Sequence, residues 1–265
     1  NGIEESDLII LIGTNPRYEA TILNARIRKS YLKNKTPIYV TGNLGDLTYP
    51  YKIIDDQTQT LKEIVENKHK LSEKIKTAKK PMIIIGQSIL KMKFSEFIFE
   101  KLKEFLKINN KINDEWNALN VISNNASTVG SYDLNIISSY GKKNLVLEKI
   151  KNNNLEVLFL FGQDSLNFQK KNEFIIYIGS HGDKGAEMAD IILPGASYVE
   201  QDGHFTNLEG KIQKAYQASF PPGDAKEDWQ IVNEISELIK RKKLFNNKDE
   251  LTDAMFNYLK INQKN

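Results

Sequence analysis

Three histidines, His69, His181 and His204, supply the side chains whose charge changes near neutral pH. His181 lies close to Asp183 in Ser180-His181-Gly182-Asp183-Lys184-Gly185. A carboxylate beside an imidazole orients the ring and raises its pKa, an arrangement that suits general acid–base work. No nucleophile accompanies the pair in the sequence, so His181 reads as a loop or interface residue. His204, between Gly203 and Phe205, reads the same way. The histidines are not grouped with carboxylates at metal-ligand spacing, and no cysteine occurs anywhere. Disulfides, a thiolate nucleophile, cysteine-bound zinc and cysteine-ligated iron–sulfur clusters are therefore excluded for this chain.

Gly13-Thr14-Asn15-Pro16-Arg17 offers a different chemistry, anion binding. It follows the apolar run Leu8 to Ile12 and opens a helix, with Asn15 as N-cap and Pro16 at the first helical position. A helix N-terminus behind a strand favours anions through its free backbone N–H groups and its dipole. The dipole contributes only about 0.3–1 kcal/mol at an exposed site. A single glycine is a weak phosphate loop beside Gly-x-Gly-x-x-Gly, so a capped turn is the plainer reading and a nucleotide-phosphate loop the sharper one. Gly162-Gln163-Asp164 closes a second apolar run, Val157 to Phe161. Loops at the carboxyl ends of parallel strands take ligands at a topological switch point. Asp164 suits either a base or ribose there, or a cap for a helix starting near Ser165.

Strands and helices must position these residues. Leu8 to Ile12 has the continuous apolar pattern of a strand covered on both faces. Ala20, Leu23, Ile27 and Tyr31 then recur at helical spacing, with Arg26, Arg28, Lys29 and Lys33 on a basic opposite side. Thr36-Pro37 ends that helix and Ile38-Tyr39-Val40 starts a strand, completing a βαβ unit. Gln57 to Glu73 reads as one helix, and Lys79-Lys80-Pro81 precedes a restart in the buried strand Met82 to Gly86. That restart places a boundary near residue 73. Residues 1–72 are expected to belong to a first α/β subdomain, as its C-terminal part on the family resemblance given below. Residues 73–265 form a second, holding the Ala189–Lys211 strand-loop segment and the C-terminal helices.

Phe94, Phe97, Ile98, Leu102, Phe105 and Leu106 trace a helix stripe, and Trp116 to Ile122 a second helical segment with its exit near Gly130 and Tyr132. Val157 to Phe161, Phe174 to Gly179 and Ala189 to Leu193 are buried strands, the last stopped by Pro194. Asp224 with Glu227 forms an Asp-led capping box before Trp229, Val232, Ile235 and Ile239. Met255, Tyr258, Leu259 and Ile261 mark a last short helix, with a frayed tail beyond.

With 265 residues the chain is long enough for a sizeable core. Its 37 Lys+Arg against 34 Asp+Glu leave a net charge of +3, too balanced for a dedicated nucleic-acid binder. Lys/Asn runs such as Lys151-Asn152-Asn153-Asn154 read as solvated faces from an AT-rich coding genome. The apolar runs are far short of a membrane span. A start at Asn1 without methionine leads to the expectation of a processed or truncated product.

Ala189-Asp190-Ile191-Ile192-Leu193-Pro194-Gly195-Ala196-Ser197-Tyr198-Val199-Glu200, a short gap, and Phe205-Thr206-Asn207-Leu208-Glu209-Gly210-Lys211 resemble a signature of the molybdopterin oxidoreductase superfamily. Within it they resemble the large iron–sulfur subunit of respiratory complex I, the NADH–quinone oxidoreductase G-subunit family. Pro221-Pro222-Gly223 with Glu227-Asp228-Trp229 stands where that family has the same residues, and Ile12 to Arg17 with Asn24 to Ser30 also resembles it. The likeness runs from Glu4 to about Leu238.

The resemblance implies an α/β fold of Rossmann-like parallel sheets flanked by helices, in two subdomains. It implies a structural, non-redox part of the peripheral arm of a proton-translocating NADH:quinone oxidoreductase, without catalytic or metal-binding residues of its own. The family's clusters lie in an N-terminal part whose cysteines are missing here. Iron–sulfur clusters and FMN are thus expected in partner subunits and no cofactor in this chain. In active molybdopterin enzymes a related loop helps hold the pterin dinucleotide. Gly13, Thr14, Asn15 and Arg17, with Gly162 and Asp164, are accordingly the candidates for a vestigial cofactor loop.

Expected partners are the cluster-bearing part, on a separate chain or segment, and other peripheral-arm subunits, with no nucleic acid and no direct membrane span. The expected location is the matrix side of the mitochondrial inner membrane, with the cytoplasmic face of a bacterial plasma membrane as alternative. Glu200 to Thr206 resembles the wider superfamily more than many complex I members, which keeps open a fragment of a formate-dehydrogenase-like or nitrate-reductase-like molybdopterin enzyme. A stand-alone nucleotide-binding module is a third reading.

Overall fold

The computed structural model describes residues 2–55, 58–90, 92–136, 145–165 and 168–262. The chain divides into two compact units, Asn1–Ala126 and Ser127–Asn265. In the first unit β1 (Leu8–Ile12), β2 (Ile38–Thr41), β3 (Lys52–Ile54), β4 (Pro81–Ile85) and β5 (Leu119–Val121) form one sheet in the order β3-β2-β1-β4-β5. Every pairing in it is parallel. Helices α1 (Pro16–Glu19), α2 (Thr21–Asn34), α3 (Thr58–Val65), α4 (Lys70–Thr77), α5 (Gln87–Leu90) and α6 (Ser95–Ile108) connect the strands.

Side-chain alternation along the two central strands explains why both are apolar throughout. Ile10, Ile12, Ile83 and Ile85 pack with Leu61, Ile75 and Leu102 from α3, α4 and α6. Ile9, Leu11, Met82 and Ile84 face the other way, towards Ile27 of α2 and Leu47. A parallel sheet covered on both faces requires such continuous apolar runs, and all five residues of both β1 and β4 are buried.

The expected boundary near residue 73 falls inside this unit. β4 pairs with β1 from Leu8↔Pro81 to Ile12↔Ile85, so the restart at Pro81 returns the chain to the same sheet. The single helix expected over Gln57 to Glu73 is two. Asn67 takes a left-handed φ of 62°, and the His69 ring caps α4 by accepting the Leu71 N–H at 3.2 Å. Gln57 itself lies outside the described residues. Trp116 to Ile122 is extended rather than helical, because Leu119, Asn120 and Val121 pair with Ile83, Ile84 and Ile85. Asn117 favours this, its side chain accepting the Leu119 N–H at 3.1 Å. On α6, Ile98, Leu102, Phe105 and Leu106 are buried as expected, whereas Phe94 and Phe97 are exposed.

The second unit holds α7 (Thr128–Asp133), α8 (Leu145–Lys151), β6 (Val157–Phe161), β7 (Phe174–Gly179), α9 (Lys184–Met188), β8 (Ile191–Pro194), β9 (Gly203–Thr206), β10 (Ile212–Ala215), α10 (Asp228–Lys240) and α11 (Lys248–Asn262). β6, β7 and β8 form a parallel three-stranded sheet in that order, and β9 and β10 an antiparallel hairpin. β6 and β8 are less buried than expected, since Val157, Phe159, Phe161, Ile191 and Ile192 are all exposed. Residues 166 and 167 lie outside the described residues, and those beside them carry no helix near Ser165. The capping box of α10 is three residues later than expected, between Glu227 and Gln230. Lys226 is still extended, bridging Gly195, so the helix cannot begin before Asp228. Leu259 is buried on α11, and residues 263–265 lie outside the described residues.

Candidate functional site

The strand order of the first sheet reverses between β1 and β4, which makes their carboxyl ends the topological switch point. Gly13 and Gly86 stand there, each directly after an apolar strand. Gly86 is a site residue that sequence reasoning missed, although Ile85-Gly86 repeats the ending Ile12-Gly13. The two loops touch. The Gly86 N–H donates to the Ile12 carbonyl at 2.9 Å, and the Ser88 hydroxyl donates to the Gly13 carbonyl. A Cβ on Gly86 would lie 2.2 Å from the Gly13 carbonyl oxygen, and one on Gly13 would lie 2.3 Å from Ile89 Cγ1. The chain's own atoms thus fill this part of the crevice.

The donors of the loop are engaged as well. The Gly13 N–H donates to Thr41 Oγ1 at 2.9 Å. The Thr14 hydroxyl and the Asn15 N–H donate to the two oxygens of Glu19, at 3.0 and 2.8 Å. A carboxylate from the end of α1 therefore takes the donors that a bound phosphate would need. Asn15 caps the Arg17 N–H at 3.2 Å and donates through its amide to the Leu44 carbonyl at 3.1 Å. Arg17 donates to the Asp46 carbonyl and to Asp46 Oδ2, the latter at 2.8 Å. The Thr48 N–H and then Arg17 hold the Asp46 carboxyl below its usual range.

Residues further along α2 grip the same segment. The Asn24 amide donates to the Leu47 carbonyl at 3.0 Å and accepts from the Tyr49 hydroxyl at 2.8 Å. Burial drives the Tyr49 phenol far above its usual pKa. Arg26 makes a two-pronged pair with Glu4, Nε to Oε1 at 2.9 Å and Nη2 to Oε2 at 2.8 Å. The Arg26 hydrogen bond pulls the Glu4 pKa down to about 2. The supposed basic face is thus partly an internal clamp.

In the second unit Gly162 has φ +55° and Asp164 follows it. Asp164 Oδ2 accepts from the Tyr177 hydroxyl at 3.0 Å, and the His181 carbonyl accepts from the same hydroxyl at 2.6 Å. Burial, and secondly Asp164, push the Tyr177 phenol up to about 12. Asp164 Oδ1 is buried with no partner among the described residues. The order β6-β7-β8 contains no reversal, so this loop does not stand at a switch point. The His181 ring pairs with the Ser180 hydroxyl at 2.9 Å.

The signature stretch also resolves into framework. Asp190 accepts the Ile175 N–H at 2.8 Å and pairs with Lys170, which aligns β8 on β7. Asn207 turns the hairpin by accepting the N–H groups of Glu209 and Lys211 at 2.9 and 3.0 Å, with Gly210 at φ +75°. A cavity of about 600 Å³ lies in this unit, apolar where Phe245, Met255 and Tyr258 line it. Asp202, Glu227 and Lys248 on its polar wall form an ion-pair cluster, and Trp229 Nε1 donates to Glu227 at 3.0 Å. His204 there faces the edge of Phe256, and burial followed by Lys214 lowers its pKa.

Comparison with known proteins gives the family of the chain. Residues 1–238 match the family described as Molybdopterin oxidoreductase. The chain is 40% identical over 243 residues to the NADH-ubiquinone oxidoreductase 75 kDa subunit of Reclinomonas americana, covering 91% of this chain and 35% of the relative. It is 37% identical over 245 residues to the 78 kDa subunit of Candida albicans, covering 91% and 32%. With an NADH-quinone oxidoreductase subunit of Rickettsia bellii it shares 38% identity over 251 residues, covering 94% and 36%. The chain spans about a third of the length of these relatives. Matched over most of its length, and built on the parallel α/β sheets described above, the chain belongs to the molybdopterin oxidoreductase family.

Proposed function

We propose that this chain is a structural, non-redox part of the peripheral arm of respiratory complex I. It supports the cluster-bearing part of the same subunit and its neighbours while electrons pass from NADH to quinone. The observation that carries this reading is the engagement of Thr14 and Asn15 by Glu19 at the closed switch point. A pterin dinucleotide or nucleotide phosphate would have to compete with Glu19 for those donors, beside two loops that already lie against each other at Gly13 and Gly86. The residues present do not fit that group. Without cysteine, the chain also cannot ligate an iron–sulfur cluster through thiolates. Clusters and FMN then belong to partner subunits.

On this reading the assembly sits on the matrix side of the mitochondrial inner membrane, or on the cytoplasmic face in a bacterium. Among the described residues no helix is long and apolar enough to cross a membrane. Thermal unfolding of the chain with added adenine or guanine nucleotides tests the cofactor-free reading. A ligand at one hundred times its Kd stabilises by about 2.7 kcal/mol, so an unchanged transition is expected. A saturable rise would contradict the proposal and favour a nucleotide or pterin site.

A further inference from the structure

β6, β7 and β8 are parallel and in register, so residues paired across them share one side of the sheet. One side holds Leu158, Leu160, Ile175 and Tyr177, packed beneath Ile150, Phe168 and Met188. The opposite side holds Val157, Phe159 and Phe161 of β6, Ile176 of β7, and Ile191 and Leu193 of β8. The positions that complete it, Phe174 and Ile178, are apolar too. Val157 is 48% exposed, Phe159 40%, Phe161 44%, Phe174 43% and Ile191 44%, whereas Ile178 near the carboxyl end of β7 is covered. On the packed side Ile192, at the β8 edge, is exposed.

Parallel sheets are covered on both faces, as the first unit of this chain is. A side without one polar residue is patterned for a dry contact, not for water. Its dimensions say what fits. Strands lie about 4.8 Å apart and rise about 3.3 Å per residue, giving a face about 15 Å wide and 16 Å long. One helix about 10 Å across and of about three turns covers such a face. At about 240 Å² the face is far below the roughly 800 Å² per partner of a stable free dimer. The occupant is therefore a single element held in place by further contacts of its own polypeptide.

We infer that one amphipathic helix of about three turns, from the part of the relatives' length that this chain does not span, covers this face. The source of the helix rests on the complex I reading above; the need for a cover does not. The test places a photoreactive benzoylphenylalanine at position 159 of the tagged chain in its native assembly, with cross-linked peptides read by mass spectrometry. The expected product joins position 159 to a helical-pattern peptide of the cluster-bearing polypeptide. A cross-link confined to this chain or to a second copy would overturn the inference. So would no cross-link with position 159 open to hydroxyl-radical labelling. If NADH dehydrogenase subunits co-purify and the cross-link stays within the chain, the docking face fails and the complex I reading stands. Capture of a helix from an unrelated polypeptide, without those subunits, overturns the stated source and the complex I reading together. Phe159→Glu is expected to lower recovery of the assembly at least tenfold, whereas Tyr216→Glu, also on an exposed side chain, leaves it unchanged.

Discussion

Glu19 is the residue on which the reading of the β1 loop turns, because its carboxylate holds Thr14 and Asn15 together. Glu19→Ala frees both donors and is expected to cost about 1–2 kcal/mol in urea unfolding. A neutral result would show that water serves the loop equally well. Glu4 and Arg26 give a prediction in pH. The folded pKa of Glu4, about 2, lies below its unfolded value of 4.5. Its contribution is therefore complete above about pH 4.5 and fades as the pH falls towards 2. The side chains are 27% and 29% exposed, so the pair contributes about 1 kcal/mol after solvent screening. Arg26→Gln should lower the urea midpoint at pH 6, and the gap from the parent should narrow by pH 3. A gap unchanged between the two pH values would contradict the pairing.

At the level of elements, glycines separate close approach from mere flexibility. Gly86→Ala drives a Cβ into the Gly13 carbonyl and is expected to cost about 1–3 kcal/mol. Gly130→Ala, within α7 with only Thr206 nearby, is expected to stabilise by about 0.4–1 kcal/mol. Thermal unfolding of the two variants checks both signs. The central strands were legible in the sequence because Leu8 to Ile12 and Met82 to Ile85 are apolar without interruption, and Asn15-Pro16 announced the helix after them. Asn15 does cap that helix, although Ala20, with φ −153°, breaks it into α1 and α2. Trp116 to Ile122 misled because its partner strand lies far away in sequence, and pairing outweighed local pattern. The exposed side of β6 was hidden for a related reason, since Leu158 and Phe159 are equally apolar and point opposite ways. Of the candidate site, the loop was visible but its occupant was not. Glu19 reads as an ordinary helix carboxylate until its distance to Thr14 and Asn15 is known.

For the whole molecule, several residues of the stretches that resemble the oxidoreductase family make framework hydrogen bonds. Asn15, Arg17 and Asn24 hold the segment before β3, Asp190 aligns the second sheet, and Asn207 turns its hairpin. A balanced charge of +3 and a partly exposed apolar sheet face suit a chain that works within a larger protein assembly. The most direct test is purification of the native assembly through a tag on this chain, with identification of its partners and assay of iron, molybdenum and pterin. The account predicts flavin- and cluster-bearing NADH dehydrogenase subunits with their iron, and neither molybdenum nor pterin. Stoichiometric molybdenum and pterin without those subunits would contradict it, and would make Gly13 to Arg17 part of a working cofactor site.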